Sequence, residues 1–217
     1  MSDFLSDYTS GGKAGSNTSS GTGPAPKRRY RIAFNAPVIL AFTALSFAAM
    51  LSNYLTGGIA NRLLFITRHG SMLNPLTWLR MFTYVLGHSS FEHWLSNFLI
   101  ILIVGPMIEE KYGSRRTLVL ILVTTFATAA VNNLLFHTGL IGASGVAFAL
   151  ILLSSFASYQ EGTAPATLIL VAVLYIGREV VNGLTADSIS QFAHIVGGFI
   201  GCAAGFALNQ AKAHDAK

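Results

Sequence analysis

Six stretches of this chain are apolar and long enough to cross, or nearly cross, a bilayer core of about 30 Å. They run approximately over 37–55, 93–108, 117–136, 143–158, 166–182 and 189–208. Composition supports reading them as membrane spans rather than buried core segments. Hydrophobic residues make up 52% of the 217 positions and charged residues only 11%, against roughly a quarter charged in soluble domains. So few charges cannot cover the surface that a soluble protein of this size would expose. A disulfide scaffold is excluded because Cys202 has no partner cysteine. The net charge of +5 does not point to nucleic acid. Its main clusters, Lys27–Arg28–Arg29–Arg31 and Lys111–Arg115–Arg116, flank apolar runs, and no soluble fold surrounds them to present a duplex-binding face.

The expected organisation is a disordered tail over 1–30, a six-helix membrane domain over 31–210 and a short C-terminus over 211–217. The tail is rich in Gly, Ser, Thr, Asn and Pro, a composition that buries too little surface to offset ordering entropy. It does not read as a signal peptide, because the apolar run after Arg31 is too long and lacks a small-residue cleavage site. Residues 57–92, with Trp78, Met81, Phe82 and Tyr84, are too apolar for a plain loop and read as an interfacial segment between the first two helices. With six spans both termini share one side. That side collects ten Lys and Arg residues, the other only Arg62, Arg68, Arg80 and Arg178, so both termini are expected in the cytoplasm.

Strongly polar residues inside a span are costly and by default mark function. They are His93 and Asn97 on the second span, Ser144 on the fourth and His194 on the sixth, with Asn132, Asn133 and His137 near the outer end of the third. His93, Ser144 and His194 each precede a polar inner boundary residue, Glu109, Gln160 or Gln210, by sixteen positions. At 1.5 Å per residue all three lie roughly 24 Å above the inner face, at one level. A serine hydroxyl becomes a useful nucleophile when a histidine takes its proton. No carboxylate shares the level, so the expected unit is a Ser144–His194 dyad. His93 and Asn97, spaced i, i+4, and the Ser144 N–H at a helix start are candidate donors to a developing oxyanion. A metal site built on His88, His93 and His194 would leave Ser144 and Asn97 without a role, and neither metal nor cofactor is expected.

Four motifs extend this pattern. His88 opens an H-x4-H-x3-N run ending at Asn97, and Gly105, Glu109 and Gly113 form G-x3-E-x3-G. Ser144 lies in Gly142-Ala-Ser-Gly145, and Ala193-His194 leads into Gly197 and Gly201 at four-residue spacing. The glycine seam by itself predicts close packing of the sixth span against the fourth. Together and in this order, the motifs resemble the rhomboid intramembrane serine proteases over about residues 78–205. The resemblance implies an all-α, six-transmembrane-helix rhomboid-like bundle with an interfacial loop between helices 1 and 2.

It further implies that Ser144 is the nucleophile, His194 the general base, and His93 with Asn97 the oxyanion hole. Phe148 takes the place of an aromatic packed on the catalytic histidine. His88, Gly142, Gly145, Gly197 and Gly201 support the site, and Arg80 and Glu109 match structural positions. Leu79 separates Trp78 from Arg80, where the family often has Trp directly before the Arg, and no role is carried onto Trp78. The expected partners are the lipid bilayer and single-span membrane proteins as substrates, in a bacterial cell membrane. The alternative is a rhomboid-like pseudoprotease that binds membrane segments without cutting them. Such members typically lack the serine or the histidine, and this chain has both. A transporter would show internal repeats and midplane polar residues, neither of which occurs here.

Overall fold

A helix satisfies every interior backbone donor and acceptor within its own segment, which is why apolar runs adopt it in lipid. The computed structural model describes residues 35–136, 139–156, 166, 170, 173 and 188–215. Its order is α1 (Pro37–Leu55), a π-turn (Asn61–Phe65), α2 (Pro75–Thr83), α3 (Phe91–Tyr112), α4 (Ser114–Leu135), α5 (Ser144–Phe156) and α6 (Ser188–Asp215). The tail over 1–30, His137 and nearly all of the fifth expected span lie outside the described residues. Among the described residues the architecture is all-α, with one isolated bridge between Thr67 and Leu140. By length and composition α1, α3 and α4 are each able to cross a membrane, and the apolar parts of α5 and α6, Ser144–Ser155 and Phe192–Leu208, are shorter. The protein is an integral membrane helix bundle.

The distribution of side chains fits a lipid solvent. Large apolar residues such as Leu45, Ile103, Met107 and Phe199 face outward, while Ser46, Thr124, Thr125, Thr128 and Asn132 are buried. Lipid gives helices little hydrophobic reason to associate, so close packing and internal hydrogen bonds must hold them together. Both occur where α1 meets α3. The residue before α1 is Ala36, which has no side-chain acceptor, so the first-turn N–H groups need one from elsewhere. The buried Glu109 carboxylate supplies it: Val38 N–H donates to Oε1 and Ile39 N–H to Oε2, each at 3.0 Å. Four residues earlier on α3, Gly105 leaves room for Ile39, whose Cδ1 would lie 2.6 Å from any Cβ there.

The interfacial segment is more ordered than its composition foretells. Asn74 accepts the Leu76 N–H at 2.9 Å and Pro75 occupies the first helical position, so α2 starts with a complete N-terminal signal. Arg80 on α2 donates through Nε to the Leu63 carbonyl at 2.9 Å and through Nη2 to that of Arg62 at 3.2 Å. It thereby closes the π-turn carbonyls that lack helical partners. Trp78 donates Nε1–H to the Met72 carbonyl at 2.8 Å and stacks on Phe126 of α4. At the opposite end of α3, Gly113 alone separates α3 from α4, with φ of +87° that favours glycine.

The tightest helix pair is α5 with α6. A Cβ on Gly197 would fall 2.1 Å from the Gly145 carbonyl oxygen, and one on Gly201 would fall 2.4 Å from that of Ala149. These atoms are backbone and cannot rotate away, so the two helices touch main chain to main chain as the seam predicts. Gly201→Val should therefore push the helices apart, at a cost of about 1–3 kcal/mol or more. Thermal unfolding in detergent should show a midpoint lowered by roughly 2–12 °C; an unchanged midpoint would contradict this packing.

Candidate active site

The segment that delivers Ser144 is held by the interfacial segment rather than by its own helix. Thr67 and Leu140 exchange both backbone hydrogen bonds, at 3.1 and 2.7 Å. Gly142 N–H donates to the Tyr84 carbonyl at 3.0 Å, and Ala143 N–H donates to His88 Nε2 at 3.3 Å. Gly142 has φ of +115°, a conformation that a residue with a Cβ rarely adopts. Helix α5 then begins at Ser144 itself. The first-turn N–H groups of a helix have no intrahelical acceptor, so the Ser144 N–H is one of these.

His88 is buried in the turn ahead of α3 and acts as an acceptor. Burial first, and the neighbouring His93 second, push its pKa down to about 4, so the ring is neutral near pH 7. With Nε2 accepting from Ala143, Nδ1 must carry the hydrogen, and it faces the Leu86 carbonyl at 3.3 Å and Ser46 Oγ at 3.4 Å. Ser46 in turn donates to the Leu86 carbonyl at 2.8 Å, and Asn61 Nδ2 donates to the His88 carbonyl at 2.8 Å. His88 thus joins α1, the π-turn and the residue before Ser144.

Helix α3 supplies the next two groups. Ser90 caps it, accepting the His93 N–H at 3.1 Å, which fixes the turn from which the His93 ring projects. His93 Nδ1 lies 3.0 Å from Ser89 Oγ, and its Nε2 points at Gly142. One turn further on, Asn97 is buried and its Nδ2 has no hydrogen-bond partner among the described residues. A Cβ on Gly142 would sit 2.8 Å from His93 Nε2 and 3.7 Å from Asn97 Nδ2. Two nitrogens therefore converge on one small space that exists because residue 142 lacks a side chain. A buried amide donor left without an acceptor costs about 1–3 kcal/mol, so this space is suited to an oxygen.

Helix α6 closes the group. The Ala193 carbonyl oxygen lies 3.1 Å from where a Cβ on Gly145 would be, which seats the backbone just before His194 against the residue just after Ser144. The His194 ring packs on Phe148, centroids 4.8 Å apart, one helical turn beyond Ser144. Phe148 is buried, and Ser144 and His194 are half-buried.

Of the residues singled out from the sequence, Ser144, His194, His93, Asn97, His88, Phe148, Gly142, Gly145 and Gly197 gather here. Gly201 continues the same helix contact one turn away. Glu109 does not belong: it lies sixteen residues along α3 from His93, about 24 Å away by helix rise, capping α1. Arg80 secures the π-turn. Asn133 holds the interfacial segment to α4, accepting the Gly70 N–H at 2.8 Å. Sequence reasoning missed Ser46, Asn61 and Ser89, small polar residues of types common enough in membrane helices and their borders to attract no notice, and read Tyr84 only as an interfacial aromatic.

The family model for the Rhomboid domain matches residues 75–211, well over half of the chain. A comparison with curated proteins gives no match.

The His88 contact can be tested separately from any chemistry. His88→Leu keeps the volume but leaves the Ala143 N–H without its acceptor, a loss of about 1–3 kcal/mol. Hydrogen exchange at residues 142–146 should accelerate by roughly 5–150-fold. Unaltered protection would show that His88 does not hold this segment.

Proposed function

The chain belongs to the rhomboid family of integral membrane proteins, and on that premise we propose that it is an intramembrane serine endopeptidase. The observation that carries the proposal is the convergence of His93 Nε2 and Asn97 Nδ2 beside Gly142, two residues ahead of a serine that begins a helix. Ser144 Oγ attacks the substrate carbonyl carbon while His194 accepts the hydroxyl proton. The carbonyl oxygen becomes an oxyanion, stabilised by His93, Asn97 and the Ser144 N–H. Collapse of this intermediate breaks the C–N bond, and His194 returns the proton to the leaving amine. Water, deprotonated by His194, then attacks the acyl ester, and Ser144 Oγ departs taking that proton back from His194, which releases the carboxylic acid and restores the dyad. Phe148, packed on the His194 ring, limits its rotation.

His93 donates from Nε2 only if that nitrogen carries the hydrogen, which requires Nδ1 to accept. Ser89 Oγ, 3.0 Å from Nδ1, supplies the matching donor. Ser89 is thus a positioning residue. Ser89→Ala should lower kcat about 3–10-fold with little change in KM, and Ser89→Thr should restore it. A loss that Thr fails to rescue would remove Ser89 from this role.

The basic-residue asymmetry supports a chain with both termini in the cytoplasm; helix rise then puts the dyad near the outer face, and the proposed location is a bacterial cell membrane. In this reading 1–30 is a cytoplasmic tail, 31–210 the protease domain and 211–217 a short cytoplasmic end. The substrate is a single-span protein cut near the outer end of its helix at a small residue. A helical carbonyl is engaged in its own backbone hydrogen bond, so the segment must unwind first, which is easier near water or beside Gly and Pro. Entry is lateral, between the second and fifth spans, nearly all of the latter lying outside the described residues.

The decisive experiment incubates the purified protein with a labelled single-span substrate and, separately, a fluorophosphonate. The probe should label Ser144, and Ser144→Ala or His194→Ala should abolish cleavage without lowering the thermal midpoint. Asn97→Ala should cost on the order of 10–1000-fold. Full activity in His194→Ala would overturn the dyad, and no cleavage with no labelling in the intact chain would favour a pseudoprotease.

A further inference from the structure

A groove of about 610 Å³ runs between α4 and α6 at the end of the bundle away from Ser144. Arg115 and Arg116 line its mouth, and the rest is apolar, with Val119, Val123, Phe199 and Ala203 along its walls. Neither guanidinium has a hydrogen bond or ion pair among the described residues. The lining spans Arg115 to Val123 on α4 and Phe199 to Leu208 on α6, which at 1.5 Å per residue is about 12–14 Å. That is roughly half of a 30 Å hydrocarbon core, the depth of one leaflet. The first turn of α4 contains no acidic residue and its N-cap, Gly113, offers no side-chain acceptor, so nothing there competes for a negative charge.

We propose that this groove binds one anionic phospholipid of the leaflet that borders the start of α4. Its phosphate lies against Arg115 and Arg116, and one acyl chain lies along Val119, Val123 and Phe199. A charged mouth alone would attract any anion, and an apolar cleft alone would take any lipid. The two in line, at the length of one leaflet, select a lipid with a negative headgroup. The proposal does not depend on the proteolytic reading. Thr128, whose hydroxyl lies 3.7 Å from a Cβ position on Gly145, is twelve residues (128 − 116) beyond Arg116, about 18 Å along α4.

Native mass spectrometry of the purified full chain tests this, with phosphatidylglycerol and phosphatidylcholine of identical acyl chains in equal amounts. Each base near a membrane surface strengthens anionic-lipid binding about fivefold, so the intact chain should retain phosphatidylglycerol over phosphatidylcholine by about 25-fold. Arg115→Gln with Arg116→Gln should bring the ratio close to one. Ala203→Phe, which fills the groove and keeps both guanidinium groups, should lower retention of phosphatidylglycerol; if it fails to fold, the arginine pair decides alone. Equal retention of both lipids by the intact chain, or an unchanged preference in the double variant, would overturn the proposal. So would full displacement by inorganic phosphate, which would reveal an anion site without a lipid groove.

Discussion

Main-chain contact between α5 and α6 is the constraint on which the rest of this molecule depends. The carbonyl of Gly145 lies where any side chain at 197 would have to be, and that of Ala149 does the same for 201. In lipid, helices gain little from hiding apolar surface from one another, so only such close approach and specific hydrogen bonds fix their relation. Once these two helices are locked, Ala193 rests on Gly145 and His194 follows beside the start of α5. The seating of Ala193 and His194 beside the start of α5 is a consequence of four small residues.

A second constraint is polar. The four residues before Ser144 are not helical, and their backbone groups would be costly to leave unmet. The structure answers with Thr67, Tyr84 and His88, all from the interfacial segment. That segment therefore has a mechanical task beyond lying at the membrane surface: it holds Gly142 in a left-handed conformation, and so keeps open the space that His93 and Asn97 face. Asn97 Nδ2 has no partner among the described residues, and within the same network Asn61 Oδ1 and Thr67 Oγ1 are buried acceptor-capable atoms in the same state. A buried donor without a partner is the expected resting state of a site whose acceptor arrives with the substrate.

Much of this was legible in the sequence because lipid is an unforgiving solvent. Histidine or asparagine in an apolar run is costly enough to stand out, and helix rise converts positions into depths. The glycine seam likewise announced its contact. What stayed hidden depends on backbone atoms. Glu109 belongs to a legible motif, yet its partners are the N–H groups of Val38 and Ile39, seventy residues away and without any side-chain signature. His88 looked like a fellow of the other histidines, and only its contact with Ala143 shows it to be an acceptor. Helix α2 was foreshadowed by Asn74-Pro75, a helix start signal inside a segment whose aromatic content marked it only as interfacial.

The central claim is that a reacting carbonyl oxygen occupies the space beside Gly142. The most direct measurement is an experimental structure of the chain inhibited by a peptidyl phosphonate, whose phosphoryl oxygen mimics the oxyanion. The expected result is a bond from Ser144 Oγ to phosphorus, with that oxygen 2.7–3.1 Å from both His93 Nε2 and Asn97 Nδ2. A phosphoryl oxygen turned away from Gly142, with the Asn97 amide still unpartnered, would contradict it.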